Sequence, residues 1–424
     1  MFQALKNIFW HQPLSLLARA YYLFPDKKLT IIGITGTDGK TTTAHLIYHV
    51  LKNANLPVSL ISTVEARIGD QVVDTGLHTT SPDKFKTFKL IRQIAKSGSK
   101  YLVAEVTAHG IDQHRFGNII FDIGIITNTS HEHLDDFKTI KKYILTKIKL
   151  LKNSKIAIIN KDDGSYSYSN LIKSKKIFYS RKVGSTYQAK NIRLTPHNLS
   201  FNCHQIKFVT DSTYEYQIYN ILAAYIACKK LGIKDSLFLD TIKHFPEIRG
   251  RRQQIDNSLG FKTIVDFAHT PKALTETLKS LKKQTKNRLI VIFGATGGRD
   301  KAKRPLMGLA VSKYADIAII TADDTRMEDI KDINSQIISG IPKNCQFLKP
   351  GQIKSIDPKR FTYFDIANRQ DAFNLAIKIA LPGDTIVACG KGHETTILHG
   401  KTDYPWSETE AFRTAFKLKK IIDA

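Results

Sequence analysis

The stretch Gly33-Ile-Thr-Gly-Thr-Asp-Gly-Lys-Thr-Thr-Thr43 (GITGTDGKTTT) ends an apolar, β-branched run and opens a helical pattern. A strand that turns through glycines into a helix is the setting of a phosphate site. Glycines let backbone N–H groups approach phosphate oxygens, and the helix N-terminus favours negative charge there. The spacing departs from the common loop G-x-x-x-x-G-K-[ST], which needs a glycine five residues before Gly39, where Ile34 stands. The glycines fall instead at every third residue, 33, 36 and 39. Lys40 is expected to reach the terminal phosphates of a nucleotide, and Thr41 to offer a hydroxyl to Mg²⁺.

Outward from this loop, short β-branched runs alternate with longer helical patterns, which is the mark of parallel α/β layers. The first half offers strands at 29–35, 58–63, 101–107, 121–128 and 156–160. A more polar, irregular stretch covers about 161–217, with strand-like pieces such as NLSFNCHQIKFV, and a helix follows at 218–232. After the RGRR run at 249–252 the alternation restarts, at 262–268, 288–295, 317–321, 361–365 and 384–390. The expected fold class is α/β: a P-loop ATPase domain with a mostly parallel sheet, then a C-terminal Rossmann-like α/β domain. The expected divisions are an N-terminal helical segment (1–28), a central ATP-binding domain (29–249) and a C-terminal amino-acid-binding domain (250–424).

Composition narrows the class further. The chain has 424 residues, 42% hydrophobic and 24% charged, a globular balance. Its four cysteines form no C-x-x-C pair and no metal-ligand spacing, so a reduced, cytoplasmic setting is expected. The net charge of +26 invites a nucleic-acid reading. Against it, the lysines are dispersed, as in KTIKKY, KSLKKQTK and KLKKII, and no nucleic-acid signature accompanies them. No run approaches the roughly 18 apolar residues of a membrane span. In the N-terminal segment Leu14, Leu17 and Tyr21 share a helical face, either docked on the body or touching a membrane surface.

Other chemistry-bearing residues sit at strand C-terminal ends, where open parallel sheets bind ligands. Glu105 and His133 do so in the first half; Asp266 and His269, Arg299 to Arg304, Asp323 to Arg326, and His393-Glu394 do so in the second. Taken singly, a carboxylate or imidazole at a strand end is more often an ordinary polar terminus. The set as a whole points to a site.

These residues resemble the Mur ligase family, whose phosphate loop has the spacing G-x-x-G-x-x-G-K-T-T. The resemblance runs in order through TTSPD (79–83), EVTAHGIDQHR (105–115), TNTSHEHLD (127–135), INKDD (159–163), YNILAA (219–224), GRRQ (250–253), VDFAHTPKAL (265–274), FGATGGRDKAKRPLMG (293–308), TADDTRMED (321–329) and GKGHE (390–394). The motifs H-G-x-x-Q-H-R, R-D-K-x-K-R-P-L-M and G-K-G-H-E are similar to those of its MurE branch. The resemblance implies an ADP-forming amide ligase that phosphorylates a carboxylate with ATP and passes the acyl group to an amino acid. In that branch the carboxylate belongs to a UDP-muramoyl dipeptide, and the acceptor amine to meso-diaminopimelate or another diamino acid. The implied partners are therefore small molecules, with no nucleic acid and a monomeric chain.

The resemblance also assigns residues. Gly36, Thr37, Asp38, Gly39, Lys40, Thr41, Thr42, Asn220, Arg251 and Asp266 match positions that hold ATP. Thr41, Glu105 and His133 match ligands of two Mg²⁺ ions. Lys147, fourteen residues beyond His133, matches a lysine carbamylated by CO₂ that serves the second ion. Thr79, Thr80, Thr107, Gln113 and Arg115 match positions gripping the muramoyl peptide; Arg299, Asp323, Arg326, Gly390 and Glu394 match those recognising the amino acid.

The pattern departs from the family in three places. About 28 residues precede the first strand, where the family carries a UDP-binding domain; a differently gripped or lipid-linked acceptor stays open. D-D-T-R stands where a diaminopimelate enzyme has D-N-P-R, which leaves lysine open as the amine. Gln253 and Gln217 replace the usual Glu and Asn. The alternatives are a folylpolyglutamate or poly-γ-glutamate type of ligase, and a non-catalytic nucleotide-binding or nucleic-acid-binding protein.

Overall fold

The computed structural model describes residues 10–69, 71–73, 83–130, 134–182, 184–195 and 197–423. The chain forms two compact units, one of residues up to Ser130 together with Phe137–Pro246, the other of Glu247 onward together with the short stretch that ends at Asp136. The first unit is organised by nine strands: β1 (Thr30–Thr35), β2 (Val58–Ile61), β3 (Ala66–Ile68), β4 (Gln71–Val73), β5 (Tyr101–Glu105), β6 (Phe121–Ile126), β7 (Ser154–Asn160), β8 (Lys175–Ser180) and β9 (Tyr187–Gln188). Their order is β4-β3-β2-β5-β1-β6-β7-β8-β9, in which β3 alone runs against the others, pairing antiparallel with β2 and β4. The chain moves from β1 to one side of the sheet and returns at β6 on the other. The phosphate loop therefore leaves β1 at a topological switch point, where such sheets bind ligands.

The central strands are apolar throughout because helices cover both faces. Ile32 and Ile34 of β1 point into a core shared with the helices Lys40–Asn53 and Gln217–Lys230. Ile31 points the other way, into a core shared with the helices Lys84–Lys96 and Ile140–Lys152. The stretch read as irregular contains β8 and β9 at the sheet edge. It also holds a three-stranded antiparallel sheet of β10 (Lys190–Leu194), β11 (Leu199–Cys203) and β12 (Ile206–Thr210). Leu199, Phe201 and Phe208 of that small sheet enter the same core as Ile32. Lysines at the exposed start of β8 hid it from a hydrophobicity pattern.

The N-terminal helix Gln12–Tyr21 docks on this unit through small residues, Ser15 and Ala18. Ser15 Oγ donates to the His114 carbonyl at 2.6 Å, and Arg19 pairs with Asp26. Leu17 and Tyr21 lie on the outer side, 63% and 70% exposed, so the apolar stripe is not the docking face. Small side chains let the helix come close, and Leu14 is half-buried beside them. Among the described residues, no helix is long and apolar enough to cross a membrane.

The second unit carries β13 (Gln253–Ile255), β14 (Lys262–Asp266), β15 (Leu289–Phe293), β16 (Ile317–Ile320), β17 (Gln346–Phe347), β18 (Thr362–Asp365) and β19 (Thr385–Cys389). Their order is β13-β14-β19-β15-β16-β18-β17, parallel except for β13. A hairpin of β20 (Thr396–His399) and β21 (Thr402–Pro405) follows, then the C-terminal helix Glu408–Asp423. This is a doubly wound sheet, and the α/β expectation holds for both units.

Candidate active site

The phosphate loop is shaped by two glycines and clamped by one asparagine. Gly36 has φ +154°, and a Cβ there would lie 1.8 Å from Thr127 Oγ1. Gly39 caps the helix Lys40–Asn53 in the left-handed region, φ +81°, and its Cβ would fall 2.2 Å from Asn220 Oδ1. Asn128, at the end of β6, accepts from Thr37 N (2.8 Å) with its carbonyl and from Asp38 N (3.0 Å) with Oδ1. Its Nδ2 donates to the Asp38 carbonyl at 2.9 Å, which Thr127 Oγ1 also reaches, at 2.7 Å. Thr127 and Asn128 both follow β6, the strand next to β1, so the parallel pairing of β1 and β6 builds this side of the loop.

The other neighbour of β1 supplies the carboxylate. Register pairs Ile34 with Glu105, which sets Glu105 beside the loop. Thr41 Oγ1 donates to Glu105 Oε2 at 2.9 Å, Thr63 N donates to the same oxygen at 3.1 Å, and Lys40 Nζ lies 3.8 Å from Oε1. Lys40 also donates to the Thr37 carbonyl at 2.8 Å. A buried hydroxyl and carboxylate in contact, with an ammonium alongside, form a hard-oxygen donor set suited to Mg²⁺ and a polyphosphate. Asn220 bridges the loop helix to the helix Gln217–Lys230, through Thr43 (3.5 Å) and Gln217 (2.8 Å). Thr42 is half-buried on the first turn of the loop helix.

Lys147 is 1% exposed and lies beneath this loop. Its Nζ donates to the Gly36 carbonyl at 2.6 Å and sits 4.4 Å from the Tyr143 ring centroid; the Tyr143 hydroxyl is 3.3 Å from Thr37 Oγ1. As an ammonium it is a donor to the loop and no metal ligand. His133, Thr79 and Thr80 lie outside the described residues. Thr107 caps the short helix Ala108–Asp112, accepting from Gly110 N, and Gln113 Oε1 accepts from Arg115 Nε and Nη2 at 3.0 and 2.8 Å. Burial lowers the Arg115 pKa, though Asp83 opposes it.

In the second unit the predicted residues cluster on loops at the C-terminal ends of β14, β15, β16 and β19. Asp323 is buried, and a Cβ on Gly390 (φ +113°) would lie 2.6 Å from its Oδ2. Burial alone would raise the Asp323 carboxyl, but Lys391, Arg369 and the Asp324 N–H hold it below the usual range. Lys391 Nζ donates to Asp324 Oδ1 at 2.7 Å and pairs with Glu394. Burial would lower the Lys391 ammonium, yet Asp323, Glu394 and Asp324 together raise it, so it stays charged. Asp324 is thus committed to Lys391 and to Leu398 N (2.9 Å), which explains how D-D-T-R can hold an aspartate at its second position. Arg326, at φ +53°, bonds β20 through its backbone, and its Cδ lies 3.6 Å from a Cβ placed on Gly298, next to Arg299. The Arg251 guanidinium stacks 4.3 Å from the Phe267 centroid, and Asp266 accepts from Arg252 N and Ala268 N, both at 2.9 Å.

Family models match both units: "Mur ligase middle domain" over residues 34–228 and "Mur ligase, glutamate ligase domain" over residues 250–392. The chain belongs to the Mur ligase family. It is 35% identical over 408 residues to the UDP-N-acetylmuramoyl-L-alanyl-D-glutamate--2,6-diaminopimelate ligase of Caldanaerobacter subterraneus, covering 93% of this chain and 79% of that one. A ligase of the same name from Clostridium acetobutylicum is 33% identical, with coverage of 94% and 80%. A solved structure of a ligase so named superposes with a TM-score of 0.62 at 27% identity, over 97% of this chain and 83% of the other. This Mur ligase is accordingly an ATP-dependent ligase, as its motifs led one to expect.

Neither Asn128 nor Glu328 stood out in the sequence, and Arg304 did so only within the run Arg299 to Arg304. Asn128 lay within TNTSHEHLD. Arg304, fully buried, forks onto Glu328 at 2.8 Å through Nη1 and Nη2, and Nη2 reaches the Thr296 carbonyl at 3.1 Å. Glu328 in turn accepts from Gly298 N at 2.9 Å, so this pair ties the Arg299 loop to the Arg326 loop. Its only trace in sequence was the basic run R-D-K-x-K-R.

Proposed function

We propose that this ligase joins a diamino acid, meso-diaminopimelate or a close relative, to the D-glutamyl carboxylate of a UDP-muramoyl dipeptide. The observation that carries the amino-acid half is the cluster in which one ammonium, Lys391, faces three carboxylates, Asp323, Asp324 and Glu394. An excess of carboxylate suits an incoming ammonium group, while Arg326 and Arg299 close by suit a carboxylate at its other end. The relatives' names point to the same pair of substrates.

In this reading ATP phosphorylates the dipeptide carboxylate, giving an acyl phosphate and ADP. The amine then attacks the acyl carbon, losing a proton, and inorganic phosphate leaves as the amide forms. The chain's work is positioning and charge balance. Lys40 and the N–H groups of the loop receive the terminal phosphates, and Asn220, Arg251 and Asp266 orient the nucleotide. Thr41 and Glu105 would hold Mg²⁺, which when bound would supply charge neutralisation at the phosphates. Thr79, Thr80, Thr107, Gln113 and Arg115 hold the dipeptide end. Asp323, Gly390 and Glu394 hold the ammonium.

Lys147 is proposed to work as its carbamate, which turns a cation under the loop into an anion fit to serve, with His133, a second Mg²⁺. Its burial beneath Gly36 supports this, since a carbamate persists where water is excluded. The deciding experiment is ADP release from the full chain with UDP-muramoyl dipeptide and a panel of meso-diaminopimelate, lysine, ornithine and glutamate. Turnover is expected with a diamino acid. Turnover with glutamate alone, or none with a UDP-linked acceptor, overturns the reading.

A further inference from the structure

Arg369 begins the helix Arg369–Ile379 and is fully buried, as is its partner Glu408 at the start of the C-terminal helix. Its guanidinium spends four bonds. Nε and Nη2 donate to the two Glu408 oxygens at 2.8 and 3.0 Å, Nη1 donates to the Ala322 carbonyl at 2.8 Å, and Nη2 donates to the Cys389 carbonyl at 3.0 Å. Those carbonyls belong to the residues just before Asp323 and Gly390. Trp406 Nε1 donates to Glu408 Oε1 at 2.7 Å and steadies the pair from behind.

The position matters because the sheet itself does not join these two ends. β15 lies between β16 and β19, and its ladders stop at Phe293–Ile320 on one side and Ile292–Ala388 on the other. Beyond those points Asp323 and Gly390 must still meet closely enough that a single methyl on Gly390 would collide with the carboxylate. A planar fork with fixed donor directions can hold two carbonyls and a carboxylate in one geometry, which a lysine ammonium on a flexible stem cannot.

We infer that Arg369, held by Glu408, is a positioning residue for the incoming amino acid: it sets the spacing of the Asp323 and Gly390 loops. The inference rests on the ligase reading above. The effect should fall first on the amino acid, because Asp323 and Gly390 follow the two held carbonyls directly; Lys40, Thr41 and Asn220 belong to the other unit, and Asp266 meets this region through its backbone carbonyl, which accepts from Gly390 N at 3.2 Å.

The test is ADP release by the full chain, varying the amino acid and ATP separately, with melting temperature measured alongside. Arg369→Lys is expected to raise KM for the amino acid by about tenfold, with KM for ATP within about twofold of wild type. Trp406→Phe, which leaves the ion pair in place, is expected to raise the amino-acid KM by about threefold. Arg288→Lys is the control: Arg288 pairs with Asp384 at 2.6 Å at the opposite strand ends of the same sheet. It should lower the melting temperature with both KM values unchanged. An amino-acid KM unchanged in Arg369→Lys, or in Trp406→Phe should the lysine variant not fold, overturns the inference. So does an equal rise in Arg288→Lys, which would mark a plain loss of stability. Absence of amino-acid-dependent turnover in the wild-type chain would overturn the ligase reading, and this one with it.

Discussion

Gly39→Ala tests the phosphate loop at its tightest point. The new methyl meets two obstacles. Alanine at φ +81° costs about 1–2 kcal/mol relative to glycine in the left-handed region. The Cβ would also stand 2.2 Å from Asn220 Oδ1, so the amide must swing away. The helix bearing Asn220 is buried along most of its length and cannot retreat. Asn220 then gives up its contacts with Thr43 and Gln217, and a buried polar group left unmade costs about 1–3 kcal/mol. The sum, about 2–5 kcal/mol, should lower the melting temperature of the first unit by about 10 °C by calorimetry. Adding Asn220→Ala removes the colliding amide. The double variant should regain at least about 1 kcal/mol relative to the sum of the singles. Affinity for ADP should not return with it, since that amide is proposed to serve the nucleotide. Additivity within about 0.5 kcal/mol would refute the steric argument.

Three further outcomes are expected. Lys147→Ala should abolish ADP release, with partial recovery on adding short carboxylic acids; unchanged activity would sink the carbamate. Burial, with Arg67 or the neighbouring histidine adding to it, holds His45 and His49 neutral down to a pKa of about 4, against 6.5 when unfolded. Between those values the unfolded chain binds the extra protons, so stability present above pH 6.5 is lost as the pH falls toward 4, by about 3 kcal/mol for His45. Urea titrations of His45→Gln should show a flatter pH dependence over that window; an unchanged slope counts against it. Glu328→Ala leaves Arg304 buried without its carboxylate, which should cost about 3–5 kcal/mol, read as an early melting transition of the second unit.

The fold class was legible because its signals are local. Runs such as TIIGIT and LIVIF are apolar on both faces, which only a doubly covered parallel strand requires. The two-residue β17, the hydrophilic start of β8 and the edge pair β3–β4 were not legible. Their residues are half-exposed, and pairing with a neighbour decides them, not side-chain pattern. The N-terminal helix docks, as one of the two readings expected, but by a face that its apolar stripe did not mark: Ser15 and Ala18 are buried while Leu17 and Tyr21 are exposed.

For the site the division is equally physical. Glycine spacing, Lys40 and Thr41 are consecutive, so the sequence by itself determined that a strand would turn through a phosphate loop into a helix. It also determined the family, since ordered motifs survive without coordinates. Only the tertiary structure decided what supports that loop. Asn128 reaches Asp38 across 90 residues, Lys147 reaches Gly36 across 111, and Asn220 reaches Thr43 across 177. Arg369 joins Ala322, Cys389 and Glu408 in the same way. Such partners are chosen by strand order and helix packing, because a buried donor must find whatever acceptor the sheet brings beside it.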